Sequence, residues 1–346
     1  MKFQKTLLAI SVTAFSSAVV ASEAVRLDVA SAFSTQTFFG KSAQNVSGDL
    51  ETMSDGNVSM RVYDPGELIP AFDILSSVSS GAVPAGWSTI AYFGGTIPVA
   101  NLYGALPFSP TAEAVFSWTF DGDGRELLQS SLDQYGIKVL PCSYIPQEPG
   151  GWFNKEINST EDFQGLSMRI SGLGARVLNE FGASTQLIAG DEVYLALERG
   201  RVDAAEFSIP EVDNALGLSE IAENYYFPGW HQGAGWLALL INQSVWDGYS
   251  DVQQAQFETA CRANIQREFS SVIPKQMEVL DDLRAQGVNV ERFSDEILSE
   301  MHEAWQAVVE EERNENPTFG EAYDSLMSHA AMIEEWYDLQ ALPSVR

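Results

Sequence analysis

The chain has 346 residues, 45% hydrophobic and 19% charged, which is typical of a packed globular protein of about two domains. Its 48 acidic residues outnumber 19 basic ones and give a formal net charge of −29. Because such a surface repels nucleic acid and anionic membranes, the composition argues against a nucleic-acid-binding protein.

The N-terminal residues have the layout of a secretory signal peptide. Lys2 and Lys5 form a short basic start, the apolar run 7–20 follows, and small residues up to Ala24 suit cleavage. No later segment reaches about 18 uninterrupted apolar residues, the length that a membrane-spanning helix needs. We therefore predict a signal peptide over residues 1–24, export to the periplasm and a soluble mature protein.

Strand and helix patterns alternate in the first third of the chain. Residues 25–29 and 58–62 alternate between apolar and other residues, as half-buried strands do, and a helical stripe of apolar residues lies between them at 39–53. A β-α-β unit of this kind places its two strands parallel in one sheet. Pro70 then begins another helix, which Gly81 ends.

The same alternation returns in a second block of the chain. Its strand and helix patterns follow one another at 166–170, 175–181, 185–188, 191–199 and 202–207. Two α/β blocks are therefore predicted, with the boundary between them near residue 147.

The last third is mainly helical. One long helix is predicted from Val252 toward Gly287, with Pro274 as a kink or break, and a second helix carries the apolar residues between 297 and 308. The final helix, over residues 319–337, is apolar on more than one side and therefore needs more than one packing partner. A contact with a second subunit and burial within its own chain both explain this pattern.

Two cysteines, Cys142 and Cys261, lie far apart in the sequence. An oxidising compartment permits a disulfide between them, but their spacing does not show whether they meet. Cys142 follows an apolar strand and Cys261 lies on an apolar helical stripe, which is typical of two separate buried thiols. We therefore expect free thiols at both positions.

The sequence contains none of the common catalytic motifs that we considered. Its histidines, His231, His302 and His329, form no metal-binding pair at helical spacing, and neither C-x-x-C nor G-x-S-x-G occurs. The Gly-Leu-Gly segment 172–174 begins like a dinucleotide fingerprint, but Val177 replaces the third glycine. These absences argue against an enzyme.

Three polar residues stand out from their surroundings. Arg169 and Glu206 each close a predicted strand, at the carboxyl end where open α/β sheets bind ligands, and Gln147 lies where the first block passes into the second. An arginine fork matches a carboxylate, and a buried glutamate must be solvated, paired or bound to a cation. A structural ion pair also explains Arg169. The alternative function is an exported hydrolase with an acid pair, Glu206 with Asp203 or Glu211.

Several ordered blocks of sequence carry a resemblance to a known family. They are FDILSSVSSGAV (72–83), LYGALPFS (102–109), PCSYIPQEPGGWFNKEI (141–157), GLSMRISGLGARVLNEFGA (165–183), GDEVYLALERGRVDAAEF (190–207) and ALGLSEIAENYYFPGWHQ (215–232). In this order the chain resembles the DctP-type solute-binding subunit of tripartite ATP-independent periplasmic (TRAP) transporters. The similarity is greatest to the branch that binds 2-oxo acids such as pyruvate.

The resemblance implies a fold like that of periplasmic binding proteins, with two α/β domains around a ligand cleft, a long connecting helix and an extended C-terminal helix. The first domain would comprise residues 25–147 and about 233–270, and the second 148–232 and about 271–315. The C-terminal helix, 316–346, would provide a homodimer contact. The implied partners are a small carboxylate and the membrane permease, with no catalytic activity.

The resemblance also assigns roles to single residues. The carboxylate-binding arginine of the family corresponds to Arg169. The ligands of the cation in the 2-oxo-acid branch correspond to the Gln147 amide, the Glu206 carboxylate and the Phe207 main-chain carbonyl. Glu206 and one substrate carboxylate carry two negative charges, and Arg169 carries one positive charge. One further positive charge balances the site, which favours sodium over calcium.

Four aromatic residues are predicted walls of the substrate site: Tyr103, Trp152, Trp230 and Trp236. The chain departs from the family pattern in three places, since residues 143–146 replace a glycine-containing stretch, Asp191 replaces a glycine and Gln232 replaces an acid. These departures leave lactate, a longer 2-oxo acid or another small hydroxylated carboxylate open as the substrate.

Overall fold

The computed structural model describes residues 24–342. The signal peptide predicted over residues 1–24 lies outside this range, apart from Ala24, and stays a prediction. Within the described range, no helix combines the length and the apolar character that crossing a membrane requires.

The described chain contains eleven strands. In chain order they are β1 (Val25–Ser31), β2 (Val58–Tyr63), β3 (Ala85–Thr89), β4 (Ile137–Ile145), β5 (Gly151–Phe153), β6 (Ser167–Arg169), β7 (Ser184–Gln186), β8 (Ala204–Ala205), β9 (Asn224–Phe227), β10 (Gly235–Asn242) and β11 (Asn289–Arg292).

The α-helices lie between and after these strands. They are α1 (Phe38–Met53), α2 (Ile74–Ser80), α3 (Ala112–Phe120), α4 (Gly124–Asp133), α5 (Gly174–Glu180), α6 (Gly190–Glu198), α7 (Pro210–Ala215), α8 (Gln243–Asp247), α9 (Asp251–Ala285), α10 (Asp295–Glu315) and α11 (Pro317–Gln340). Short 3₁₀ turns occupy Ala71–Asp73, Ile90–Phe93, Pro98–Tyr103, Thr160–Phe163 and Leu218–Glu220.

The strands form two sheets. The first has the order β2-β1-β3-β10-β4, in which β1 runs parallel to β2 and β3, and β10 runs antiparallel to both of its neighbours. The second has the order β11-β9-β5-β8-β6-β7, in which β5 is antiparallel to β8 and β9 and the other pairs are parallel. The predicted α/β fold is confirmed, and so is the parallel pairing of the first two strands.

Local chemistry sets several of the helix ends. Gly81 ends α2 with a φ of 75°, in the left-handed region that favours glycine. Ser250 and Gln253 form a capping box at the start of α9. This helix of 35 residues continues through Pro274, so the break considered for that position does not occur.

Three segments join the two sheets. Residues 146–150 lead from β4 in the first sheet to β5 in the second, and residues 228–234 lead from β9 back to β10. The long helix α9 packs against β4 and α1 on one side of this junction and against α7 and β11 on the other. These connections hold the two sheets next to each other. The domain boundaries given above stay a prediction.

Cys142 and Cys261 form a disulfide, so the prediction of two free thiols is wrong. Cys142 lies on β4 and Cys261 on α9, and these two elements pack directly against each other. The apolar patterns around the cysteines correctly indicate that both are buried. Which buried residue faces which depends on the packing of helix on strand, and that packing is not visible in the spacing of the cysteines.

The C-terminal helix α11 is buried along its first half and exposed along its second. Phe319, Leu326 and Ala330 are buried, in a helix that packs against α3 and α10. By contrast, the side chains of Trp336 and Leu339 are 60% and 74% exposed. Burial within its own chain therefore accounts for only the first half of the apolar surface of this helix.

Candidate functional site

Several strand ends of the second sheet meet at one edge. Arg169 is the last residue of β6 and pairs in register with Ala205, the last residue of β8, so Glu206 follows directly beside it. Because β5 runs antiparallel to β8 and β9, its first residue, Gly151, lies at the same edge, opposite Tyr226 near the end of β9. The residues adjoining these strand ends are thereby brought together.

Arg169 is buried and holds its neighbour Glu206 by two hydrogen bonds. Its Nη1 donates to the main-chain carbonyl of Glu206 at 2.5 Å and to the carboxylate Oε1 at 2.9 Å, while Nε donates to the carbonyl of Ile188 at 3.1 Å. The guanidinium carbon lies 5.0 Å from the centre of the Phe207 ring. No described residue accepts a hydrogen bond from Nη2, which leaves that nitrogen available to a further acceptor.

Glu206 is satisfied on only one of its two oxygens. Oε1 accepts from Arg169 and from the main-chain N–H of Ser171 at 2.5 Å, whereas the buried Oε2 has no hydrogen-bond partner within the described chain. Burial by itself raises the pKa of this carboxyl, but attraction to Arg169 and His231 outweighs burial and lowers the pKa to about 2. Glu206 is therefore ionised at neutral pH.

The two chain segments that cross between the sheets bring a second acid and a histidine to the same place. Glu148 lies on the first crossing segment and His231 on the second, and they are 4% and 1% exposed. The segments touch so closely that a Cβ on Gly229 would lie 1.8 Å from the carbonyl oxygen of Glu148, so only glycine fits there. Ser208 donates to Glu148 Oε1 at 2.9 Å, which fixes that end of the carboxylate.

Glu148, Glu206 and His231 form a buried cluster. His231 Nε2 lies 3.5 Å from Glu206 Oε2 and 3.8 Å from Glu148 Oε2, and one ligand atom from each residue lies within 4.8 Å of the other two. Burial lowers the pKa of His231, but the two nearby carboxylates more than offset burial and raise the pKa to about 9. Burial also raises the pKa of the Glu148 carboxyl.

The open atoms of this cluster fit a bound cation. Glu206 Oε2 and both imidazole nitrogens of His231 are buried and have no hydrogen-bond partner among residues 24–342. Buried polar atoms are rarely left without a partner in proteins, and two carboxylates facing one point repel each other unless a positive charge lies between them, which either the protonated His231 or a bound cation supplies. Carboxylate oxygens and an imidazole nitrogen are all donors to metal ions.

A small cavity adjoins Arg169 and Glu148 and is lined by residues of both sheets. It offers about 20 Å³ to the centres of water molecules, which is room for about one water. Tyr92 lines it, and burial raises the pKa of its hydroxyl to about 12. The remaining lining residues are Phe33, Phe39, Thr89, Ala91, Gly104, Ile145, Ser171, Phe207, Gln232 and Leu237.

The structure gathers three of the site residues predicted from the sequence and leaves one outside. Arg169, Glu206 and Phe207 lie together at the edge of the second sheet. The side chain of Gln147 is exposed, and its amide lies 3.4 Å from the carbonyl oxygen of Gly229. It is the next residue, Glu148, whose side chain joins the cluster.

The predicted aromatic walls are core residues and do not line the cavity. Tyr103 donates its hydroxyl to the carbonyl of Gly124 at 2.5 Å, and its ring packs against tryptophans. Trp152 stacks on Tyr225 with ring centres 3.9 Å apart, and its Nε1 donates to Asp213 at 2.9 Å. The other two predicted walls, Trp230 and Trp236, are also buried away from the cavity lining.

Sequence reasoning did not assign roles to Glu148, His231 and Tyr92. The family resemblance assigned a cation ligand to Gln147, and because successive side chains of an extended segment point to opposite sides, its neighbour Glu148 faces the other way. His231 lies within one of the sequence blocks that resemble the family, and that resemblance is the sequence feature that could have pointed to it. Nothing in the local sequence marks Tyr92, which lies on the 3₁₀ turn Ile90–Phe93 after β3.

The acid pairs considered for a hydrolase are not assembled around Glu206. Asp203 lies before β8 and Glu206 after it, and Asp203 accepts a hydrogen bond from the N–H of Ser167, at the opposite end of β6 from Arg169. Glu211 lies at the start of α7, 3.4 Å from the side-chain amide of Gln276. The acid that accompanies Glu206 is Glu148.

Comparison with known proteins identifies related chains. A family model described as bacterial extracellular solute-binding protein, family 7, matches residues 29–316. The chain is 31% identical over 301 residues to the monocarboxylate 2-oxoacid-binding periplasmic protein of Nostoc sp., and the match covers 87% of this chain and 82% of that protein.

Two solved structures of TRAP transporter solute-binding proteins have the same fold. The protein from Bordetella bronchiseptica, a mixed-occupancy dimer with calcium and picolinate, is 29% identical with a TM-score of 0.88, and the match covers 92% of this chain and 95% of that one. The protein from Pseudoalteromonas atlantica, with bound sodium and pyruvate, is 27% identical with a TM-score of 0.86, and the match covers 93% and 100%.

Proposed function

The chain belongs to the bacterial extracellular solute-binding protein family 7, and from this membership we propose that it is the periplasmic receptor of a TRAP transporter that binds a small 2-oxo monocarboxylate with a cation. The observation that carries the proposal is the buried pair Arg169 and Glu206: within the described chain Glu206 Oε2 has no hydrogen-bond partner, and Arg169 Nη2 donates no hydrogen bond. A small anion and a cation together satisfy both atoms.

Arg169 is the proposed carboxylate-binding residue. Its Nη1 and Nε are committed to Glu206 and Ile188, so the guanidinium is held rigidly and Nη2 remains for the substrate. A charged hydrogen bond to such a preorganised donor contributes about 1.5–3 kcal/mol. The Phe207 ring beside the guanidinium shields this contact from water.

Glu206 and Glu148 are the proposed cation ligands, together with the main-chain carbonyl of Phe207 that the family resemblance assigns. The cation, when bound, supplies positive charge to the two carboxylates and to the substrate oxygens. The buried Oε2 of Glu206 is the strongest support, because within the described chain it has no hydrogen-bond partner, and such an oxygen is costly in a protein interior. The sequence assigned Gln147 to this ligand set, and Glu148 takes its place in our proposal.

The pairing of anion site and cation site explains a preference for 2-oxo acids. In a 2-oxo acid the keto oxygen and one carboxylate oxygen lie close enough to contact the same ion, whereas an unsubstituted fatty acid offers only its carboxylate. Tyr92 lines the cavity on the side of the first sheet. A hydroxyl there is placed to donate a hydrogen bond to the substrate from the first sheet while Arg169 holds it from the second.

Substrate entry requires that the two sheets separate. The cavity has room for about one water, less than a three-carbon acid needs. Glu148 and His231 lie on the two segments that cross between the sheets, so an ion bound there favours the closed arrangement. We propose that the membrane permease recognises this closed form and that no covalent chemistry occurs.

The exposed half of α11 supports a homodimer through the C-terminal helix. Met332, Trp336 and Leu339 are 61%, 60% and 74% exposed, and apolar residues at this density on one helix are typical of an interface with another protein. A second copy of the same chain is the proposed partner.

Isothermal titration calorimetry of the purified protein tests the substrate. With cation present we expect one molecule of pyruvate to bind per chain, and propionate, which lacks the keto oxygen, to bind at least tenfold more weakly. Lactate measures what a hydroxyl contributes in place of the keto group. If no small 2-oxo or 2-hydroxy acid binds, the proposed function is wrong. If the protein converts its ligand instead of releasing it unchanged, the result supports the hydrolase alternative.

A further inference from the structure

We propose that the contact between Ala105 and Gly172 sets how closely the two sheets approach each other, and that the absence of a side chain at position 172 is therefore required for tight substrate binding. Neither residue is among those that line the cavity, so both act as positioning residues. This inference rests on the proposed function, because the affinity for the substrate reports the closed arrangement of the sheets.

Ala105 belongs to the first-sheet side of the molecule and is held firmly there. It follows the 3₁₀ turn Pro98–Tyr103, it is fully buried, and its N–H donates to the carbonyl of Asn101 at 3.0 Å. The preceding residue, Gly104, lines the cavity and packs against the first residue of β10, where a Cβ on Gly235 would lie 2.8 Å from the Cα of Gly104. Ala105 therefore moves together with the first sheet.

Gly172 belongs to the second-sheet side. It lies between β6 and α5, directly after Ser171, which lines the cavity and donates its N–H to Glu206 Oε1. A Cβ on Gly172 would overlap the Cβ of Ala105 and lie 3.1 Å from the carbonyl oxygen of Ala105. Because Ala105 has no flexible side chain that could move aside, only a separation of the two chain segments relieves this overlap.

The chain that follows Ala105 is also held in place. The N–H of Phe108 donates to the carbonyl of Trp230 on the second crossing segment at 2.7 Å, and its ring lies 4.9 Å from the imidazole of His302 on α10, measured between ring centres. Phe108 has a φ of 49°, and a phenylalanine in this left-handed region persists only where the surrounding contacts hold it. Fixed before and after Ala105, this segment does not yield when the sheets come together.

Glycine at position 172 meets two requirements, and a second glycine separates them. The φ of Gly172 is 65°, which penalises any other residue in the open and closed forms alike, whereas the overlap with Ala105 arises only when the sheets are together. Gly200, on the second-sheet side after α6, is exposed and has a φ of 67°. Apart from its chain neighbours, no described atom lies within 4 Å of the place where its Cβ would be. Gly200→Ala therefore carries the same backbone penalty without the overlap.

The test measures pyruvate binding by calorimetry with cation present. The variants are Gly172→Ala, the matched control Gly200→Ala, and the double variant Gly172→Ala with Ala105→Gly, which restores the lost space. Ala105→Val enlarges the same contact from the first-sheet side without a positive φ. Stopped-flow tryptophan fluorescence gives the rate of pyruvate dissociation, and thermal unfolding checks that each variant is folded.

We expect Gly172→Ala to weaken pyruvate binding by roughly 5- to 150-fold, the range that overpacking of one contact gives. The loss should come mainly from faster dissociation, because only the closed form is penalised. Gly200→Ala should bind pyruvate like the wild type even where its melting temperature falls. The double variant should recover most of the affinity, since the two substitutions act on one contact.

Wild-type affinity in Gly172→Ala, an equal loss in Gly200→Ala, or no recovery in the double variant would each overturn the inference and leave the proposed function intact. If Gly172→Ala does not fold, Ala105→Val carries the test: the same loss of affinity is expected, and wild-type affinity overturns the inference. A wild-type protein that binds no small 2-oxo acid overturns the proposed function, and this inference with it.

Discussion

Replacing Arg169 by lysine separates the charge of the guanidinium from its geometry. Lysine keeps the positive charge beside Glu206, so the acid is not stranded, whereas alanine would leave a buried carboxylate unpaired at a cost of about 3–5 kcal/mol. What lysine cannot reproduce is the planar fork that binds Ile188 and Glu206 through Nε and Nη1 and leaves Nη2 for the substrate.

The size of the effect follows from that lost contact. One charged hydrogen bond contributes about 1.5–3 kcal/mol, which corresponds to a loss of roughly 10- to 150-fold in pyruvate affinity. We expect the loss in the dissociation constant for pyruvate and a much smaller change in the affinity for the cation alone, because Glu148 and Glu206 remain in place.

Calorimetric titration of pyruvate into Arg169→Lys, with saturating cation, measures this loss. Arg284→Lys is the matched control, since Arg284 is exposed and pairs with Asp281 near the end of α9. Circular dichroism and thermal unfolding check that both variants are folded. Wild-type affinity in Arg169→Lys would refute the assignment of Arg169 as the carboxylate-binding residue.

Four further predictions follow from other parts of the molecule. Replacing Cys142 and Cys261 by serine removes the disulfide and should lower the free energy of unfolding by about 2–5 kcal/mol, measured by urea denaturation. Tyr92→Phe should weaken pyruvate binding by roughly 2- to 13-fold, the effect of one neutral hydrogen bond, in the same calorimetric assay. Burial raises the pKa of Glu268 above its usual value of 4.5, so its contribution to stability is complete below pH 4.5 and declines as the pH rises. Glu268→Gln lacks that decline, and the stability difference between wild type and variant should narrow from pH 4.5 to pH 7 in urea unfolding. Trp336→Asp should convert a dimer into monomers in sedimentation velocity, because it places a charge on the exposed half of α11.

The site residues that the sequence singled out are those whose position in the fold depends on a single strand. Arg169 and Glu206 follow apolar strand patterns, and the rule that open α/β sheets bind ligands at the carboxyl ends of their strands drew attention to both, while the family resemblance assigned their roles. In the structure the two residues are neighbours because β6 and β8 are adjacent and parallel in the second sheet.

The residues that the sequence did not single out are those whose position in the fold depends on how separate segments of the chain pack. Gln147 and Glu148 occupy consecutive positions of the segment that crosses from the first sheet to the second. This segment is in close contact with Gly229, and Glu148 is buried there while Gln147 is exposed. The pairing of Cys142 with Cys261 depends likewise on the packing of α9 on β4. The apolar patterns around the two cysteines indicate that both are buried but do not show that they pair.

A crystal structure of the protein with pyruvate and manganese, whose anomalous scattering locates the ion, tests the central claim most directly. We predict the substrate carboxylate within hydrogen-bonding distance of Arg169 Nη2 and the ion in contact with Glu206 Oε2, Glu148 and the two chelating oxygens of pyruvate. A substrate bound away from Arg169, or an anomalous peak outside the cluster of Glu148, Glu206 and His231, would contradict the account.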